Sequence, residues 1–467
     1  MIPYFPKQVA TRAVLIYLLS LTLVSILFMY YSMSIGYIAL GCAWVFGFMI
    51  LAYFCSFSWR KLSEKQYLGY VFSIALIIRL IWIVVSYYYY LDVTGAPFEF
   101  ESRDAIGYHL DAEWLAGENF SVTRNYLFGN VILLADSGYP LYLSTIYRIF
   151  GPSIIIARMI KALLSSLTCI LIYKLSARTF GEKTGRIAGI MMALMPNLII
   201  YCGYHLKETE MLFLEVAFLE RLDFVIRSRR INVLNIIVPS LLAGSLFLFR
   251  TVLGAAAVFS FATTIVLSSA PTMKQNGRRI ILIAWGVLAL AYFSGGTAAT
   301  EVEALWEDRE NSVLDKRAEQ TNRGNRWAKY ATGSVMAPMA FVLPFATMVD
   351  VDQQYLQQEK SGGNYIRNFM GFFALLAIYE SIRRKRIREF AMIGSFVIAY
   401  LGVVSMSGFS NSERFLLPGL PCLIMMWAYG ISALRAKTYR FLTPWCIIVV
   451  LMEVGWAYFK LGSRGLI

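Results

Sequence analysis

Apolar residues fall in long runs along this chain, separated by short polar or basic stretches. The runs of spanning length are 13–32, 36–57, 67–91, 152–175, 186–202, 207–225, 231–249, 252–269, 279–296, 366–382, 390–407, 414–434 and 441–459. About 20 mostly apolar residues cross a bilayer as a helix. The pattern therefore predicts an all-α polytopic membrane protein with about 13 transmembrane helices. Two weaker stretches, 139–150 and 333–349, are short or carry Pro338 and Pro344, and read as interfacial or re-entrant. The first run is longer than the apolar core of a typical signal peptide, so it reads as a retained helix.

Composition agrees with this pattern. Of 467 residues, 58% are hydrophobic and only 15% charged, with a mean hydropathy of +0.59. Soluble domains carry about 25% charged residues, and disordered chains are poor in apolar residues, so both classes are excluded. The net charge of +14 suggests an acidic partner until it is sorted by position. Lys and Arg concentrate at 60–65, 174–186, 227–230, 274–279, 383–388 and 435–440. With the N-terminus inside and the two weaker stretches not crossing, thirteen spans put all of these loops on the cytoplasmic side. The basic excess is then a topology signal, and no nucleic-acid partner is implied. Three polar segments fall on the opposite side: 92–138, 297–332 and 350–365.

Those outer segments hold the residues able to carry chemistry. In the first, Asp104 precedes small and apolar residues at 105, 108, 112, 115 and 116, a helical spacing. Asp104 stands where an N-cap would stand, and reads either as that cap or as a reactive group. Tyr108 and His109 follow it. A second cluster, Tyr201 to Glu210, includes His205, Lys207 and Glu208 and leads into an apolar helix that also carries Glu215. Ionisable groups inside a membrane are costly and default to a functional reading, although solvation at a helix end explains some of them. The third set is cationic: Arg250 at an outer turn, Arg414 at the start of a span, Arg158 and Lys161 near one span end, and Arg79 in mid-span. These either snorkel to headgroups or converge on a lipid-borne phosphate, which the planar arginine fork suits.

Other chemistries find little support. The six cysteines lie in or beside apolar runs without paired spacing and read as small core residues. No zinc pattern, Walker motif or dinucleotide fingerprint occurs. Gly295-Gly296 and Gly362-Gly363 are isolated pairs. No cofactor and no metal site is expected, and His109 and His205 are too few to make one alone.

The stretch from Asp104 through Gly107-Tyr108-His109 to Ala112 resembles the first-loop motif of polytopic glycosyltransferases that use lipid-phosphate sugars, the C superfamily. The likeness is to family 39-like members, the protein O-mannosyltransferases and lipid A aminoarabinose transferases. It continues through Gly138-Tyr139-Pro140, Phe150-Gly151-Pro152, Ala157-Arg158, Met195-Pro196-Asn197, Leu206-Lys207-Glu208 and Glu413-Arg414-Phe415 with Pro418. It is best over 67–225. The resemblance implies a sugar donor on polyprenyl phosphate and inverting transfer to a lipid, glycan or protein acceptor. It implies a bacterial inner-membrane location with the site on the periplasmic face. Asp104 and Glu208 would be catalytic, with Asp104 the general base. Lys207, Arg250, Arg414 and Arg158 would meet the donor phosphate, and Tyr108, His109, Tyr139 and His205 the sugar or acceptor. The Asp-Glu pair and His-Pro-Pro motif of the O-mannosyltransferases are missing, which speaks against a Ser/Thr-protein acceptor.

The organisation that follows is an N-terminal helix pair at 1–66, a transferase core at 67–296, outer loops with a re-entrant segment at 297–365, and C-terminal helices at 366–467. Two other readings share some features. A lipid-linked oligosaccharide polymerase or ligase would use the same lipid. A flippase or transporter would more often show repeats and midplane sites; no repeat is found, and the ionisable residues cluster at one membrane face instead of the midplane.

Overall fold

The computed structural model describes residues 4–100, 102–128, 134–228, 234–267, 339–351, 354–406, 412–462 and 464–467. The expected span 279–296, the outer segment 297–332 and Gly295-Gly296 lie outside these residues. The described chain is helical. Its only β feature is one isolated bridge between Ser32 and Val349.

In chain order the helices are α1 (Lys7–Leu27), α2 (Ile35–Ser58), α3 (Glu64–Thr94), α4 (Arg103–Gly117), α5 (Phe120–Phe128), α6 (Leu134–Phe150), α7 (Ile154–Phe180), α8 (Glu182–Leu194), α9 (Pro196–Gly203) and α10 (Glu208–Arg227). They continue with α11 (Leu234–Phe249), α12 (Thr251–Leu267), α13 (Tyr355–Glu359), α14 (Ser361–Arg383), α15 (Ala391–Met406), α16 (Glu413–Leu416), α17 (Leu420–Ser432), α18 (Ala436–Tyr439) and α19 (Leu442–Gly462). Helix α7 is a central strut that packs on α3, α8 and α10. Helices α14 and α17 pack together, and α14 also meets α2 and α19.

The sequence dictates several of these boundaries. Ser63 accepts from the Gln66 amide and forms a capping box that starts α3. Gly95, at φ 76°, ends it in the left-handed region. Helix α3 buries Val71, Ala75, Arg79, Ile83, Ser86 and Tyr90 on one face and exposes Ile77, Ile81 and Tyr88 on the other. A helix apolar on every side, with its exposed face also oily, suits contact with lipid.

The thirteen expected spans are recovered only in part. Among the described residues, 7 helices are long and apolar enough to cross a membrane, or up to 8 if one bent pair counts as a span. That pair is α8 and α9, where the run 186–202 bends by 40°. Pro196 causes the break, because it lacks an N–H and fits only at the first helical position. The run 207–225 forms α10, but Glu208, Glu210, Glu215, Glu220, Arg221 and Asp223 make it too polar for the set. The apolar parts of α11 and α12 fall short in length. Residues 339–349 contain no α-helix.

The bend explains Arg79. Its buried guanidinium donates to the carbonyls of Ala193 at 2.9 Å and Met192 at 3.2 Å, and to Ser165 Oγ at 2.8 Å. A broken helix inside a membrane needs partners for its freed carbonyls, and Arg79 supplies them. It neither snorkels nor faces a ligand.

The basic loops gather with acidic partners away from Asp104. Arg178 pairs with Glu220 and Asp223, and Arg383, Arg384 and Arg435 surround the buried Glu380.

Candidate functional site

A cavity of about 630 Å³ opens between the start of α4, the turn 201–206, residues 344–347 and 354–364, α16 and α19. Asp104 lies on its wall. Asp104 is not the N-cap of α4, which is Ser102; it sits in the first turn. A carboxylate there is favoured by the helix dipole, yet its side chain turns to Arg414. Arg414 donates from Nη1 to Asp104 and from Nε to Glu208. Glu208 is fully enclosed, whereas Asp104 is 58% exposed. One arginine thus joins the exposed carboxylate of the cavity to a buried one behind it.

Arg250, at the break between α11 and α12, completes this group. Its Nη2 lies 3.5 Å from Glu208 Oε1, its Nη1 donates to the Tyr400 hydroxyl at 3.2 Å, and its guanidinium covers the Phe415 ring at 4.4 Å. Burying a carboxylate is affordable only with such partners. Asp104, Glu208, Arg250 and Arg414, from four separate parts of the chain, therefore form one network.

Lys207 takes a different direction. Its ammonium is 2.6 Å from Asp136 on α6 and 5.8 Å from the Tyr108 ring. The turn that presents Lys207 and Glu208 is held from below by Lys161 on α7. Lys161 is buried and donates to the carbonyls of Tyr204 at 2.7 Å and Leu206 at 2.5 Å, and to the Tyr139 hydroxyl at 3.3 Å.

Arg158 is enclosed and away from the cavity wall. It donates to the Pro97 carbonyl at 2.7 Å and lies 3.7 Å from Glu99. Glu99 in turn accepts from the His205 amide at 3.0 Å.

Tyr108, His109, Tyr139 and His205 form a ring cluster that does not line the described cavity. Tyr108 meets Tyr139 edge-on at 5.2 Å, and the two imidazoles lie 5.8 Å apart. The Tyr147 hydroxyl sits between them, 2.8 Å from His109 Nδ1 and 3.2 Å from His205 Nε2. Burial lowers the pKa of both histidines, His205 most, and the nearby Arg158 and Lys161 push His205 further down. Neutral imidazoles at neutral pH follow. Among the described residues no group of three His, Cys, Asp or Glu is arranged to hold a metal ion.

Sequence reasoning missed a second cluster on the same wall. Lys360, just before α14, lies 3.0 Å from Glu413 and 5.2 Å from the Tyr201 ring. Asn197 donates to Glu413 and, at 2.9 Å, to Asn364. Adjacent residues Glu413 and Arg414 thus serve two clusters. Beside them, Glu359 accepts from the hydroxyls of Tyr90 at 2.7 Å and Tyr204 at 3.0 Å. The only available sequence signal was the density of polar residues ahead of an apolar run at 366.

No family model matches this chain, and no curated protein matches it. Solved structures do. ArnT from Cupriavidus metallidurans, crystallised with undecaprenyl phosphate, aligns at 13% identity with a TM-score of 0.51, over 81% of this chain and 62% of its own. The Archaeoglobus fulgidus oligosaccharyltransferase, in complex with Zn and sulfate, aligns at 13% and 0.45 over 84% of this chain and 52% of its own. AglB from the same organism, with an inhibitory peptide and a dolichol-phosphate, aligns at 13% and 0.46 over 86% and 56%. The chain spans about three-fifths of the length of ArnT. Its helical fold is similar to that of ArnT.

Proposed function

We propose that this chain is a membrane glycosyltransferase that moves a sugar from polyprenyl phosphate to an acceptor at the outer face. The observation that carries this reading is the Arg414 bridge between Asp104 on the cavity and Glu208 behind it. A lone general base needs no such arginine, and a phosphate-binding arginine is normally left to its anion. Here one guanidinium can serve both. The ArnT-like fold, in a structure holding undecaprenyl phosphate, supports a lipid phosphate as the anion.

The reaction is a single displacement. The acceptor oxygen or nitrogen attacks the anomeric carbon and gives its proton to Asp104. The bond from that carbon to the phosphate oxygen breaks, and the electron pair leaves with polyprenyl phosphate. Configuration at the anomeric carbon inverts. The phosphate needs charge stabilisation more than protonation, and Arg414 and Arg250 supply it, with Lys207 nearby. A donor phosphate competes with Asp104 for the Arg414 fork. Binding the donor therefore frees Asp104 to accept a proton only when the phosphate is in place. The basic loops, paired at Glu220, Asp223 and Glu380, support the cytoplasm as the opposite side.

The test is donor consumption in proteoliposomes containing polyprenyl-phosphate-linked sugars, read as release of polyprenyl phosphate by mass spectrometry. Release above that of empty liposomes is expected. Flux of intact donor across the bilayer without release would overturn the reading.

A further inference from the structure

The cavity has a second wall that the reaction above leaves unused. It is formed by Phe345, Thr347, Gln354, Gln357 and Trp456. Behind it stands Lys460, one helical turn beyond Trp456 on α19. The Lys460 ammonium donates to Thr347 Oγ1 at 2.6 Å, Gln354 Oε1 at 2.7 Å and Gln357 Oε1 at 2.5 Å.

A lysine ammonium has donors and no acceptor, so each carboxamide must turn its oxygen toward it. Both amide oxygens face it. Their NH₂ groups are directed away from Lys460, and both glutamines line the cavity. The amide oxygens of this wall are thus engaged from within, and its amide donors are left for the cavity. Beside them, the Trp456 indole packs against Phe345 at 5.5 Å. Among the described residues, the buried Trp456 Nε1 has no hydrogen-bond partner, although buried indole N–H groups usually find one.

Amide donors next to an aromatic surface suit a molecule that offers many oxygens and an apolar C–H face. A sugar ring has both. An acyl chain would leave the amides without partners. A peptide would bring as many N–H donors as carbonyls, and the side-chain oxygens of Thr347, Gln354 and Gln357 already accept from Lys460. We propose that this wall is the acceptor subsite and that the acceptor is a carbohydrate. The inference rests on the glycosyltransferase reading above. It places the hydroxyls of the acceptor on Gln354, Gln357 and the Trp456 N–H, while the attacking hydroxyl faces Asp104.

Gln354→Glu and Gln357→Glu test it without dismantling the wall. Each keeps an oxygen facing Lys460 and turns that hydrogen bond into an ion pair, but replaces the NH₂ donor with an oxygen. The full-length protein in nanodiscs is applied to an array of neutral oligosaccharides ending in mannose, galactose or N-acetylglucosamine. The wild type should retain at least one glycan, and each variant should bind it at least tenfold more weakly. Retention should persist when a polyprenyl-phosphate-linked sugar fraction from envelope membranes is added. Displacement by that fraction would assign the wall to the sugar of the donor and overturn the acceptor assignment. Equal binding by wild type and variants, or no glycan retained by the wild type, would also overturn it. Binding needs no turnover, so glycan retention by a protein that releases no polyprenyl phosphate would defeat the function and leave the subsite standing.

Discussion

Arg414 and Asp104 lie 310 positions apart in sequence and are joined by an ion pair at the cavity wall. Because Asp104 is largely exposed, this contact adds little to stability. In the proposed reaction it would hold Asp104 in place until a competing anion takes the guanidinium. Asp104→Asn keeps a hydrogen-bonding oxygen for Arg414 and removes the basic oxygen. Transfer should fall by about 10²–10⁴-fold, while polyprenyl phosphate binding stays within a few-fold of wild type. Parallel turnover and lipid-binding measurements check both. Near-normal turnover in the variant would remove Asp104 from the base role.

The same arginine matters to the fold through its other contact. Glu208 is fully buried, and loss of Arg414 leaves it only Arg250 at 3.5 Å. Arg414→Met should therefore destabilise the protein by about 3 kcal/mol, the order seen when one partner of a buried pair is removed. Adding Glu208→Gln removes the stranded charge and should recover a large part of that loss. Unfolding of the two variants in detergent measures the difference. Equal stability of Arg414→Met and the double variant would show that the Glu208 charge is not the cause.

The cations and carboxylates of this network were legible in the sequence because charge inside an apolar run is expensive and therefore conspicuous. Glu208 and Arg414 stood out in that way at the starts of apolar runs and Arg250 at a turn between two of them, whereas Asp104 stood out by the helical spacing that follows it and by its resemblance to a first-loop motif. Arg79 stood out equally, but its partners are the carbonyls freed by Pro196 on another helix, and no one-dimensional pattern links them. Lys360, Gln354 and Gln357 fall in a polar stretch where charge carries no signal, so they read as loop. Helix α14 starts at Ser361 and not at 366, because Gly362 and Gly363 let it approach its neighbours. A Cβ on Gly362 would lie 2.8 Å from the Gly41 carbonyl, and one on Gly363 would meet Asn197. That glycine pair reads as punctuation until the facing helices are known. Among the described residues, the run 207–225 is not among the long apolar helices for a related reason. Mean apolarity identifies α10 as a span, but its buried Glu208 and Glu210 pair with Arg414 and Lys161 from other helices, contacts that hydropathy does not register.

Lys161 offers a test of how the turn carrying Lys207 and Glu208 is held. Lys161→Met keeps the length of the side chain and removes the donors to the Tyr204 and Leu206 carbonyls. An unpaired buried acceptor costs about 1–3 kcal/mol, so the variant should be less stable. Its turnover should fall more than its affinity for polyprenyl phosphate, because the displaced turn carries Glu208 while Arg250 and Arg414 sit on other segments. Turnover and lipid affinity falling by the same factor would argue that Lys161 has no specific part in shaping the turn.

Glu359 makes the stability of the protein depend on pH. Burial pushes its carboxyl up to about 7, against the pull of the Tyr90 and Tyr204 hydroxyls and of Lys360. An acid whose folded pKa exceeds its ordinary value of 4.5 is favoured in its protonated form by folding. Between those values the native state binds more protons than the unfolded state, so stability falls as pH rises. The contribution is fully present below 4.5, declines to about 7 and is level above that. A displacement of this size corresponds to about 3 kcal/mol. Glu359→Gln keeps an oxygen for both tyrosine hydroxyls and carries no titrating proton. It should unfold at a higher temperature than wild type at pH 8, with the gap closing toward pH 4.5. Melting curves of both proteins across that range test this, and a gap that stayed constant with pH would show that Glu359 is not the titrating group.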